Sequence, residues 1–177
     1  MSNLYPYKGT TPTIAESAFI APGADIIGDV IIGEQSTVWF NCTVRGDVNE
    51  IRIGSQTSIQ DNTVIHVARN GQGTYIGDRV TVGHSTILHA CTIEDDVVIG
   101  NGACVMDDCL VEKGAIVAAN ALIPPGKTVK AGEVWAGNPA KKLRDVRPAE
   151  IEFFHDNMLD YCSLAKEYNE ELGKKDD

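Results

Sequence analysis

At 177 residues, with 43% hydrophobic and 23% charged residues, the chain has the size and composition of one soluble globular domain and not of a disordered segment. Its formal net charge of -10 argues against nucleic acid as a partner, since phosphate binding needs a basic face, and no apolar run of about eighteen residues offers a membrane span. The first residues lack the basic flank and apolar stretch of a secretory signal. The five cysteines are odd in number and contain no C-x-x-C pair, which predicts free thiols in a cytoplasmic protein.

Along the chain, the first signal is an aliphatic residue at every sixth position. Ile14, Ile20, Ile26, Ile32, Val38 and Val44 form one series; Ile53, Ile59 and Ile65 a second; Ile76, Val82 and Leu88 a third. Ile93, Ile99, Val105, Val111, Val117, Ile123 and Val129 form the last. Four positions after most of these sits a small or β-branched residue, such as Ala24, Cys42, Thr63, Ala103 or Ala115. The position just after the aliphatic residue is often glycine: Gly33, Gly54, Gly77, Gly83, Gly100. A helix would need apolar spacings of three and four, so the pattern predicts short strands joined by tight turns, with glycine or asparagine expected where φ is positive. Stacked units of this kind make a parallel β-solenoid. Aromatic residues are only 6% of the chain, and small side chains filling a narrow prism in layers account for that.

The repeat ends near Lys127 and Glu133, where the small inward residue is replaced by a charged one. Trp135 to Lys141 reads as a turn-rich exit. After Pro148, Ile151, Phe154, Met158, Tyr161, Ala165, Tyr168 and Leu172 recur at helical spacing, predicting an amphipathic helix along the outside of the prism. The domain layout expected is a solenoid over 1–144 and a helix with a frayed tail over 145–177.

These hexads resemble the hexapeptide repeat of left-handed parallel β-helix proteins, in which three hexads make one coil. The resemblance covers about residues 11 to 140 and implies the left hand. The fold class expected is therefore mainly β: a left-handed parallel β-helix with a C-terminal α-helix packed on its outside.

Three of the four histidines fall where the register breaks. The step from Ile65 to Ile76 is eleven residues, one hexad plus a five-residue loop from Arg69 to Gly73, so the faces repeat as 53/76, 59/82 and 65/88. His66 and His89 then lie on one face, pointing outward, one coil apart. Strands about 4.8 Å apart bring such rings close enough to share one ion with modest leaning. His84 belongs to the preceding face. One prism does not bring two outward faces to a point, but two prisms side by side do. The register therefore predicts a metal shared between subunits, His66 and His89 from one chain and His84 from the next, in a ring that a triangular prism closes as a homotrimer. His155 reads as an ordinary solvated side chain. Three histidines and an open fourth position describe a catalytic Zn2+ site, with Fe2+ or Co2+ also suited to imidazole.

The strings Val44-Arg45-Gly46-Asp47, Gln60-Asp61-Asn62-Thr63-Val64-Ile65-His66 and Gly83-His84-Ser85-Thr86-Ile87-Leu88-His89, with Gly137-Asn138-Pro139-Ala140-Lys141, resemble γ-class carbonic anhydrases. The resemblance implies His66, His84 and His89 as metal ligands and Arg45 and Asp47 as an interfacial pair. It also implies Gln60 as the group orienting bound hydroxide and Asp61 as its acidic neighbour. The activity implied is a lyase reaction, the hydration of CO2 to bicarbonate by metal-bound hydroxide. The sequence departs from the archaeal pattern at two places. Neither the loop Val67 to Gly73 nor Val48 supplies the glutamates those enzymes use in proton transfer, and Tyr161 is an alternative polar group near the site. Two other readings stand beside this one. A hexapeptide-repeat acyltransferase would need a basic strip for coenzyme A, for which Lys127, Lys130, Lys141 and Lys142 are the candidates. A non-catalytic zinc-binding trimeric accessory module would need only the metal.

Overall fold

A computed structural model describes residues 3–173; the frayed tail expected at the C-terminus falls largely at 174–177, outside them. The chain forms a parallel β-solenoid whose coils stack in register, closed on one side by a single helix, α1 (Pro148–Gly173). The register expected from the aliphatic series is the one observed: Ile53 pairs with Ile76, Ile59 with Val82, and Ile65 with Leu88. Each of these inward side chains is buried, and together with Val105, Val111, Ile123 and Val129 they form one continuous column through the prism. Among the described residues no helix is long and apolar enough to cross a membrane.

The small inward residues do what their size allows. Ala24, Cys42, Ala103, Cys109, Ala115 and Ala121 fill the corners and are fully buried. The Cys42 thiol is pushed up to about 11 by burial, the behaviour of a small hydrophobe and not of a nucleophile.

The expectation for the turns holds at Asn41, Asn62 and Asn120 (φ 59, 61 and 57) and at Gly102, Gly114 and Gly126, but not at the glycines that follow the aliphatic residues. Gly33, Gly54 and Gly77 do not have positive φ; the left-handed positions fall two residues later, at Gln35 (φ 58), Gln56 (φ 55) and Arg79 (φ 55). Glycine is required for a different reason. A Cβ on Gly54 would lie 2.6 Å from the backbone carbon of Gly77 in the next coil, and one on Gly77 would lie 2.8 Å from the amide nitrogen of Asp95. Stacked turns approach too closely at this position for any side chain.

Two strands are longer than the repeat predicts. Asp25–Ile32 and Thr43–Ile53 run continuously around a corner, joining two faces into one sheet, with a register irregularity between Gly28 and Val30. The corner of the second long strand carries Arg45 and Asp47. The sequence reading also did not reach Asn3–Tyr5, which pairs with the strand Asp25–Ile32. At the other end, Glu133–Gly137 and Ala140–Asp145 form an antiparallel hairpin, whose first strand extends the last face through Ile116 and Val134.

Helix α1 buries Met158 and Ala165 against that face and leans Phe154, Tyr161, Tyr168 and Leu172 on it. Ile151, expected on the buried stripe, is 62% exposed. The first turn is held instead by polar contacts. Glu150 accepts hydrogen bonds from Arg144 at 2.6 and 2.7 Å and from the backbone N–H of Arg147 at 2.9 Å. The Arg144 guanidinium, then the Arg147 amide, hold the Glu150 carboxyl down at about 2.

Candidate metal centre and its surroundings

The two stacked histidines arise from the repeat itself. His66 closes the strand Val64–His66 and His89 closes Ile87–His89; the strands pair in parallel with His89 opposite His66. Their ring centroids are 5.3 Å apart and the planes are tilted by 49°. Both side chains are partly exposed on an outward face.

Each ring is steered by a carboxylate. His66 Nε2 lies 3.0 Å from Asp47 Oδ1, and Asp47 Oδ2 accepts a hydrogen bond from Arg45. Burial pushes the Asp47 carboxyl up, but hydrogen bonds from His66 and Arg45 outweigh it and leave it below the usual carboxylate range. His89 Nδ1 lies 2.9 Å from Asp107 Oδ2. His84 Nδ1 lies 2.9 Å from Asp61 Oδ2, and the backbone N–H of His84 donates to Asn101 Oδ1 at 3.1 Å. Asp107 is a residue the sequence reading missed. The register gave no signal for it: the coil here steps by seventeen, with Leu88 opposite Val105, so Met106 and not Asp107 aligns with His89, and the contact arises from how the side chains lean. The pairing of Asp61 with His84 was also missed, since Asp61 was read only as a neighbour of Gln60.

Within one chain the three histidines are not brought together. Among the described residues, no group of three His, Cys, Asp or Glu side chains forms a metal-holding cluster. The donor set nevertheless fits a metal. In all three rings one nitrogen is engaged by a carboxylate, and the other (His66 Nδ1, His84 Nε2, His89 Nε2) has no hydrogen-bond partner among the described residues. A neutral imidazole backed by a carboxylate is the usual form of a histidine ligand.

His84 faces a cavity of about 420 Å³ that is also lined by Gln60, Asn101, Asn157 and Tyr161. Gln60 is only 5% exposed, and its carboxamide makes no hydrogen bond to protein among the described residues. Tyr161 packs edge-on against Trp39, ring centroids 5.5 Å apart, while lining the same cavity. Burial, and then the nearby Asp61 carboxylate, push its phenol up from 10.0. The structure thus places Gln60, His84 and Tyr161 on one cavity, and Arg45, Asp47, His66 and His89 on another face.

The bacterial transferase hexapeptide model, described as six repeats, matches residues 11–46 and 90–125. A carbonic anhydrase of Geobacillus kaustophilus is 42% identical over 165 residues, covering 93% of this chain and 90% of its own length. The chain belongs to the γ-class carbonic anhydrase-like family of hexapeptide-repeat proteins. The mitochondrial gamma carbonic anhydrase 1 of Arabidopsis thaliana is 45% identical over 92% of the chain, and the chain spans 61% of that relative's length. The crystal structure of a hexapeptide transferase family protein from Anaplasma phagocytophilum superposes with a TM-score of 0.90 at 45% identity, covering 94% of this chain and 98% of that one. Of the four lysines that would make a basic strip for coenzyme A, two are engaged in this chain: Lys130 pairs with Glu112 at 2.8 Å, and Lys142 with Glu133 and Asp145 at 2.9 and 2.8 Å.

Proposed function

We propose that the protein is a metal-dependent carbonic anhydrase, a cytoplasmic homotrimer that interconverts CO2 and bicarbonate at sites shared between adjacent subunits. His66 and His89 of one subunit and His84 of the next hold Zn2+, or Fe2+ or Co2+. The solenoid, 1–144, carries the ligands, and the C-terminal segment, 145–177, supplies one wall of the cavity beside His84 through Phe153, Phe154, Asn157 and Tyr161. Five free thiols support a reducing compartment. The observation that carries the reading is the in-register pair His66–His89, with a carboxylate behind each of the three rings.

An apolar column supports the shared site. Val64 and Ile87, directly opposite each other two residues before His66 and His89, are 41% and 46% exposed. Such a patch beside an incomplete donor set suits burial by a second copy. When bound, the metal supplies a Lewis acid that brings the pKa of a coordinated water toward about 7. The chain's own groups do the positioning. Asp47, Asp61 and Asp107 hold the ring tautomers, and Arg45 keeps Asp47 ionised. The carboxamide of Gln60 orients the attacking water, and the reacting geometry is thereby set before CO2 arrives. Tyr161, a phenol that is protonated at neutral pH and is pushed higher still by burial, acts as a hydrogen-bond donor, and the outgoing proton leaves through water or buffer.

Metal analysis beside a CO2-hydration assay tests this. Wild type is expected to carry about one metal per chain and to hydrate CO2; His84→Ala is expected to lose the metal with its circular dichroism unchanged. Mixing His66→Ala with His84→Ala chains restores a fraction of intact sites, which a site within one chain would not do. Full metal occupancy in His84→Ala overturns the shared site. Stoichiometric metal without hydration favours an accessory module instead.

A further inference from the structure

Helix α1 lies over an outward row of Thr81, Val98 and Ile116, stacked in register. It is fastened at two apolar clusters. One joins Phe19, Trp39 and Ala165; the other joins Val98, Ile116 and Val134 with Val146 and Phe154. A cavity flanks the helix on each side of that row. One, of about 420 Å³, is the cavity of Gln60, His84 and Tyr161; the other, of about 380 Å³, lies under the first half of the helix and contains none of those three. Thr81, Val98, Ile116 and Phe154 line both. The two spaces are therefore neighbours, divided by the Phe154 ring resting on Val98 and Ile116.

Their chemistry differs. The walls of the second chamber are Val98, Ile116, Val146, Ile151, Phe154 and Met158. The charged groups that line it are already paired: Arg79 with Asp96 at 2.6 Å, Lys113 with Asp96 at 3.2 Å, and Glu150 with Arg144 at 2.6 Å; the ring of His155 lies 3.8 Å from Asp156. An anion entering there would leave water for an apolar wall without gaining a free cation, which is costly. A small neutral molecule loses almost no hydration and gains dispersion contacts.

We propose that this chamber takes up CO2 and passes it beneath Phe154 into the Gln60–His84 cavity. The cleft between helix and prism is then the entry path for the neutral substrate, while bicarbonate is confined to the polar side. This inference rests on the carbonic anhydrase reading above.

The test pairs a structural readout with a kinetic one on the metal-loaded protein. Xenon under pressure should appear in the apolar chamber of wild-type crystals, because an apolar cavity binds xenon. Val146→Phe, at a wall residue that does not line the His84 cavity, should displace the xenon. It should also lower kcat/KM for CO2 hydration about fivefold, with metal content unchanged. Reversibility requires bicarbonate dehydration to fall by the same factor. Ile151→Trp, placed at the exposed mouth where it disturbs no core packing, should give a smaller decrease. It also keeps the test open should Val146→Phe fold poorly. Wild-type hydration with kcat/KM unchanged in a variant that excludes xenon overturns the entry path alone, as does an apolar chamber that takes no xenon. A metal-loaded wild type that hydrates no CO2 overturns the enzymatic reading and the path with it.

Discussion

The face under α1 and the face carrying His66 and His89 are built from the same repeat, yet they end in opposite states. Inward, they are equivalent: Ile59, Val82 and Ile99 on one, and Ile65, Leu88 and Val105 on the other, are all fully buried. Outward, the first presents Thr81, Val98 and Ile116, covered by the chain's own helix, and the second presents Val64 and Ile87, left open beside two partly exposed histidines. The difference teaches where function resides in this fold. The inward residues make a prism that tolerates any outward row, and the outward rows decide whether a face is closed by the same chain or left for another.

The strongest way to break the contrast is to charge the open face. Val64→Asp combined with Ile87→Asp is expected to abolish the proposed trimer and its proposed metal site, read by light scattering and metal analysis, while far-UV circular dichroism stays that of the solenoid. Persistence of the trimer would show that this face is not the contact. A sharper comparison truncates the core beneath each face. Leu88→Ala and Ile99→Ala are each expected to lose about 2–5 kcal/mol in denaturant unfolding, and to agree within about 1 kcal/mol, because the columns are equally buried. A large inequality would mean that the outer covering contributes to the stability of the inner column. Met158→Ala addresses the helix alone. Only 2% exposed, this side chain seats α1, and its truncation should cost about 2–3 kcal/mol and speed proteolysis within 148–173 before the solenoid yields.

The smallest effect is electrostatic. Glu150 has its carboxyl lowered from 4.5 to about 2 by Arg144 and the Arg147 amide, so it favours the folded state above 4.5. That contribution is lost as pH falls through about 2. The first turn of α1 should therefore loosen between pH 4.5 and 2, seen as faster amide exchange there, and Glu150→Gln should remove the pH dependence.

Much of this was legible in the chain. The spacing of Ile53, Ile59 and Ile65 against Ile76, Val82 and Leu88 gave the coil register, and with it the stacking of His66 on His89, because parallel in-register pairing converts sequence separation directly into position. Elsewhere the same arithmetic failed or was not applied. The glycines after each aliphatic residue look like turn residues in sequence; only the approach of neighbouring turns, as at Gly54 and Gly77, shows that they are excluded from having a Cβ. Asp107 and the Asp61–His84 pair depend on where side chains lean across coils, which period alone does not specify.

The solenoid, its register and the helix could be read from the chain alone, since each is a local pattern repeated until it has one packing solution, whereas the exit expected as turns folds as an antiparallel hairpin. Tertiary structure decided what covers each face. It seated α1 on Thr81, Val98 and Ile116, exposed Ile151, steered each histidine with its own carboxylate, and left His84 apart from the other two. Those outcomes depend on contacts between segments whose separation along the chain follows no period, and they become visible only when the surfaces are assembled.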